Sequence, residues 1–155
     1  MTLKPIYFDE LPIGRQTETE WHEMTREAIV AFAGEYDPQP FHVSDEGGRT
    51  SGFGRLVASG LHTFAVFNKL RMAIDGGIVV TAGLGFDKLR FLVPVEPGDR
   101  LRVRGEVVES RVSQSKPDRG VVGWEFLVVN QRDEAVLSLE FRLMVAMDPK
   151  ALERS

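Results

Sequence analysis

The feature that most constrains this chain is a stretch from Ser59 to Asp75 that is apolar on nearly every side of a helix. Phe64, Val66, Phe67, Leu70, Met72 and Ile74 leave no polar stripe wide enough to face water. A helix of that kind is normally enclosed, so the rest of the chain must supply the enclosure. Ser59 opens the helix and Gly76-Gly77 stops it. Beyond Gly77 the pattern changes to a period of two. Leu101, Val103, Gly105 and Val107 alternate with Arg102, Arg104 and Glu106, and Leu137 to Val145 repeats the alternation, as expected of strands with one buried face. Turn residues at Pro97-Gly98-Asp99 and from Asn130 to Glu134 divide this region into four predicted strands, roughly 79–94, 100–112, 120–130 and 135–147. Links this short predict antiparallel pairing. The expected class is α+β, a sheet curled around one buried helix.

An earlier helix is predicted from Thr25, which can cap it, to about Asp37. Ile29, Phe32, Ala33 and Tyr36 fall on one face, and Met24 and Ile29 flank the cap as a hydrophobic staple. Pro38 disfavours helical geometry at Asp37 and ends the helix there. A loop follows that is rich in turn formers: Asp37-Pro38-Gln39-Pro40, Gly47-Gly48 and Ser51-Gly52.

At 155 residues, the chain is sized for one domain (residues 1–155), and a domain of that length buries about 68–70% of its unfolded surface. Disulfides and structural metals are then unnecessary, and the absence of cysteine removes thiolate zinc sites and cysteine nucleophiles. No metal site is expected. The net charge of −4, with both signs interspersed, argues against a nucleic-acid binder. No stretch approaches the roughly 18 to 20 apolar residues of a membrane span, and no secretory signal is visible. A cytoplasmic protein with no membrane partner is the expectation.

Three histidines bound the search for chemistry. His22, among Glu20, Trp21 and Glu23, reads as an exposed histidine. His62, in the first turn of the apolar helix, reads as a core histidine bonded to backbone. His42 sits in a loop stiffened by Pro38 and Pro40, the kind of rigid support an acid/base pair needs. Extended, the five residues from Asp37 to His42 span roughly 16 Å, so the two can share one water only if the loop bends. On these residues alone, Asp37 as a helix terminator and His42 as a loop residue is the safer reading.

The segment Asp37-Pro38-Gln39-Pro40-Phe41-His42 resembles the Asp-x-Asn-Pro-Ile-His signature of MaoC-like dehydratases and (R)-specific enoyl-CoA hydratases. The likeness runs in order along the chain. Ala31-Phe32-Ala33-Gly34 precedes the signature, Phe53-Gly54-Arg55-Leu56-Val57-Ala58-Ser59-Gly60 resembles the start of the family's central helix, and Leu89 to Asp99 resembles the strand and turn that follow. The resemblance implies a hot-dog fold, an antiparallel sheet wrapped around a long helix, and usually a homodimer. It implies hydration of a trans-2-enoyl-CoA or its reverse, with Asp37 and His42 as the acid/base pair. The backbone N–H of Gly60 would hold the thioester oxygen, with Ser59 and Gln39 beside it in substrate binding. No cofactor is implied beyond the coenzyme A of the acyl-CoA substrate. Gln39 stands where the family has Asn, Ser59 where it has His, and Asn68 where some members have Ser, so substrate identity is where this chain departs.

Two other activities share the fold. A hot-dog thioesterase wants a carboxylate on the central helix, and none lies between Gly60 and Ile74. A non-catalytic acyl-CoA-binding subunit would not need Asp37 and His42. The segment Ser113 to Gly120 reads as a turn, for which its Pro, Asp and Gly suffice.

Overall fold

The structure, a computed structural model, describes residues 2–154. A short 3-10 turn, Phe8–Glu10, leads into strands β1 (Gln16–Glu18) and β2 (His22–Glu23). Helices α1 (Arg26–Tyr36), α2 (Pro40–Val43), α3 (Asp45–Arg49) and α4 (Gly60–Asp75) follow. Then come strands β3 (Val80–Phe91), β4 (Arg100–Val112), β5 (Arg119–Val129) and β6 (Ala135–Ala146), and a final turn of helix, α5 (Pro149–Leu152). The strands form one antiparallel sheet in the order β1-β4-β5-β6-β3, with β2 pairing further along β4. The class is α+β, as the pattern of the sequence predicted.

The alternation in β4, β5 and β6 aims one set of side chains at α4. Val103, Val107, Val122, Trp124, Phe126 and Leu137 are all buried there. From the helix side, Phe67 is fully buried and meets the Phe126 ring edge-on at 5.0 Å between centroids. Gly105 makes that contact possible: a Cβ there would lie 2.3 Å from the Phe126 ring. The missing side chain on β4 is the space that the ring on β5 occupies.

Two expectations need correction. The apolar helix is covered on one side only, because a single curled sheet has one concave face to offer. Leu61 and Met72 on the other side of α4 are 50% and 42% exposed, and Ile74, near the end of the helix, is 39% exposed. Beside that open side, every residue of the edge strand β3 is exposed, Leu84, Phe86 and Phe91 included. The loop after Asp37 is also not irregular throughout, since it contains α2 and α3. Strands β1 and β2, at three and two residues, are too short to have shown a period in the sequence. No helix among the described residues is long and apolar enough to cross a membrane.

Because Phe67 is the helix's deepest contact with the sheet, Phe67→Ala should cost about 3–5 kcal/mol. Denaturant unfolding measures this. A loss below about 1 kcal/mol would mean that α4 is held elsewhere.

Candidate active site

The predicted pair is assembled by two helix ends and the strap between them. Thr25 caps α1 by accepting from the Ala28 N–H, and Asp37 is its last half-helical residue, with its N–H bonded to the Ala33 carbonyl at 2.9 Å. Pro38 keeps Asp37 out of helical geometry. The Gln39 N–H then turns back onto the Asp37 carbonyl at 2.8 Å. Pro40 at the first position of α2 starts a new turn, which lifts His42 back toward Asp37. Five residues that could span roughly 16 Å are thereby folded until Asp37 Oδ2 and His42 Nε2 lie 3.5 Å apart.

His42 is buried, and its Nδ1 lies 2.7 Å from the Val57 carbonyl oxygen. A carbonyl can only accept, so Nδ1 carries the hydrogen. In the neutral ring Nε2 therefore presents a lone pair to Asp37. At 3.5 Å the two groups are too far apart for a strong direct hydrogen bond. Asp37, about a fifth exposed (21% for the side chain), is the side from which this pair can be reached.

The Asp37 carboxylate takes two other hydrogen bonds. Ser59 Oγ donates to Oδ2 at 2.7 Å, and Gln39 Nε2 donates to Oδ1 at 2.8 Å. The Ser59 bond, then the Gln39 bond, hold the carboxyl below the usual carboxylate range, with partial desolvation opposing and His42 adding a smaller pull downward. Ser59 is fully buried, and its oxygen also accepts the Leu61 N–H, capping α4. Gly60 begins α4, and among the described residues nothing accepts its N–H. First-turn donors of this kind favour negative charge. A Cβ on Gly60 would strike the Phe91 ring at 2.6 Å.

All five predicted residues thus converge on the start of α4. A cavity of about 280 Å³ adjoins it, lined by Phe53, Gly60, Thr63, Phe91, Val95 and Val136 among others. A larger groove of about 630 Å³ contains none of the five and is walled by charged side chains of the sheet such as Arg104, Glu106 and Glu125. The other two histidines depart from expectation. His22 is half-buried on β2 rather than exposed. His62 is buried, but its Nδ1 has no partner; instead the ring stacks on Phe32 at 4.7 Å. Burial first, then the charge of His22, keep its pKa below the ordinary value, which favours the neutral ring that stacks. Asn68 lies on the open side of α4, accepting from Arg71 at 3.1 Å. The segment from Ser113 closes as a turn, with the Ser113 N–H on the Arg119 carbonyl.

Two site-building residues escaped the sequence reading. Gly47 and Gly48 looked like loop formers, but they lie inside α3 and let backbone touch backbone. A Cβ on Gly47 would sit 2.1 Å from the Pro40 carbonyl oxygen, and one on Gly48 would sit 2.2 Å from the Leu56 nitrogen. They seat α3 against both α2 and the strap that leads to Val57.

Comparison with known proteins agrees with this fold. Residues 9–127 match the family described as MaoC like domain. The crystal structure of the MaoC-like dehydratase from Rhodospirillum rubrum is 36% identical with a TM-score of 0.85, covering 93% of this chain and 99% of that one. The 3-hydroxyacyl-thioester dehydratase Z of Mycobacterium tuberculosis is 31% identical over 94 residues, 59% of this chain and 62% of that protein, so the match spans less than two thirds of that relative. A second Mycobacterium tuberculosis protein, described as having a double hot-dog fold, aligns at 22% identity with a TM-score of 0.80 over 94% of this chain and 45% of its own length. The fold shared with that protein is the hot dog.

Gly48→Ala should destabilise by about 1–3 kcal/mol, the usual cost of forcing a methyl into packed backbone, and should loosen the turn that carries His42. Thermal or denaturant unfolding reads it directly. A change within about 0.5 kcal/mol, the range of ordinary surface substitutions, would show that α3 is not seated as described.

Proposed function

We propose, for a chain that belongs to the MaoC-like dehydratase family, that Asp37 and His42 add water to a trans-2-enoyl-CoA thioester or remove it from the 3-hydroxyacyl thioester. The family is one of hydratases and dehydratases; the acid/base pair and the enoyl-CoA substrate are the parts that this reading adds. One observation carries it. With Nδ1 committed to Val57, His42 Nε2 and Asp37 Oδ2 are two acceptors facing each other across 3.5 Å. A molecule that donates two hydrogens satisfies both, and water is the simplest.

In the hydration direction the water oxygen attacks C3 while Asp37 takes one of its protons. The electron pair of the double bond moves through C2 to the thioester oxygen. There the Gly60 N–H meets the developing charge, a donation worth about 2.7–4 kcal/mol in comparable sites. The proton held by the pair, with His42 as partner, returns to C2 on the same face, and the thioester carbonyl re-forms. One hydrogen and one hydroxyl are added, and nothing else is consumed. In reverse, the substrate's 3-hydroxyl occupies the position of the water. The reaction calls for no cofactor beyond the coenzyme A that the substrate carries. The adjoining 280 Å³ cavity, apolar apart from Thr63, suits a hydrocarbon acyl chain.

The geometry does not favour a thioesterase. The carboxylate of α4 is Asp75, about 22 Å along the helix axis from Gly60 at the usual rise. It is buried and bonded to Arg15 at 3.2 Å. A symmetric homodimer is part of the proposal, since the open side of α4 and the exposed edge strand β3 both leave apolar side chains uncovered. Phe91 belongs both to β3 and to the cavity wall, which supports a site for the acyl-CoA near the proposed subunit boundary. A cytoplasmic setting accords with the cysteine-free composition.

Asp37→Asn and His42→Ala should each lower turnover of enoyl-CoA about 10²–10⁴-fold while the protein stays folded. Near-native turnover in either variant would overturn the assigned pair. Sedimentation at micromolar concentration should give twice 17.3 kDa, and a monomer alone would remove the dimer from the proposal.

A further inference from the structure

We propose that Ser59 and Gln39 form a two-pronged clamp on Asp37, positioning residues that fix which carboxylate oxygen faces His42 and tie it to the first turn of α4. The inference rests on the reading of Asp37 as the base. Each prong holds a different oxygen, Ser59 on Oδ2 at 2.7 Å and Gln39 on Oδ1 at 2.8 Å. The prongs come from different elements, the start of α4 and the start of α2. Rotation of the carboxylate would break both bonds at once.

The direction of the Ser59 bond is unambiguous. Its oxygen accepts the Leu61 N–H at 3.2 Å, which uses a lone pair and leaves the hydroxyl hydrogen for Asp37. A continuous chain therefore runs from the Leu61 N–H through Ser59 to Asp37 Oδ2. Gly60, the proposed oxyanion donor, lies between its two ends. Base and oxyanion donor share one anchor, so neither can shift without the other. Ser59 is fully buried, with both functions of its hydroxyl already engaged, which makes it a positioning residue rather than a substrate contact.

The two prongs are also two of the positions where this chain departs from the family pattern it resembles. Both departures end on the same carboxylate. Gln39, one methylene longer than asparagine, reaches back two residues to Asp37. Serine at position 59 replaces an imidazole with a hydroxyl small enough to be enclosed and to cap the helix as well.

The test is a carbon-13 NMR titration of the Asp37 carboxyl, run beside the pH profile of kcat/KM on enoyl-CoA. Among the described residues, His42 on α2 is the titratable group that acts on Asp37, so both titrations are followed. Ser59→Gly removes the hydroxyl yet keeps an acceptable N-cap residue. Gln39→Leu changes an exposed side chain, so the measurement survives even if the serine variant folds poorly. Wild-type Asp37 should titrate below the ordinary carboxylate range, and each variant should move it upward, Ser59→Gly by more. A raised pKa leaves more Asp37 protonated at a given acid pH, so any Asp37-dependent fall in activity on the acid side should move to higher pH. With the carboxylate free to turn, kcat should drop about 10- to 100-fold while KM stays within about 3-fold. Ser59→Thr, which keeps the hydroxyl, should restore both readouts. An Asp37 titration unmoved in Ser59→Gly and Gln39→Leu would overturn the clamp, whatever the activity. If the titrations move as expected but wild-type protein hydrates no enoyl thioester, the clamp stands and the proposed reaction falls.

Discussion

The burial of one side of α4 in the concave face of the sheet is the constraint on which the other parts depend. Phe67 reaches Phe126 through the space that Gly105 leaves open, and this contact sets the height of the helix above the strands. The strap leading into the helix is pinned in turn. The Val57 N–H bonds to the Phe41 carbonyl and the Ala58 N–H to the Val95 carbonyl, so α4 begins at a point defined from both the α2 side and the sheet side. The Val57 carbonyl that orients His42 and the Ser59 hydroxyl that holds Asp37 are both fixtures of that strap. The apolar core thus determines the polar geometry without supplying any of its atoms.

Electrostatics explains why a carboxylate at this position needs support. Asp37 terminates α1, and the C-terminal end of a helix disfavours negative charge. It also faces the N-terminal end of α4, which favours it. The two hydrogen bonds weigh on the favourable side, since charge-assisted bonds to a carboxylate are about twice as strong as neutral ones. The result is an acid group held below its ordinary range while still open to solvent along one edge.

Much of this was legible in the sequence, and the exceptions share a cause. The strands predicted near 100–112 and 135–147 are observed at Arg100–Val112 and Ala135–Ala146, because alternation over a dozen residues is a strong signal. The Thr25 cap was equally readable, since capping is a local property of residue type. Helices α2 and α3, at four and five residues, are shorter than two helical turns and carry no period. Gly47 and Gly48 looked like loop residues because their role is set by Pro40 and Leu56, neighbours that only the fold brings near. The approach of Asp37 to His42 was readable through resemblance to a known motif, not from spacing, which is compatible with anything up to an extended strand.

The apolar pattern of α4 overstated its burial for an instructive reason. Periodicity reports how much of a helix avoids water, not which chain covers it. One sheet covers one side, and the remaining apolar residues, with the exposed edge of β3, are left by the same arithmetic that made the helix look like a core element. Phe91 connects this uncovered region to the chemistry, because its ring stands against the Cα of Gly60 while its own strand lies open. Whatever covers β3 therefore bears on the wall of the cavity beside Gly60 and on access to the Gly60 N–H. The shape of the cavity beside Gly60 and the exposure of the open face are thus one structural problem, set by the same few side chains.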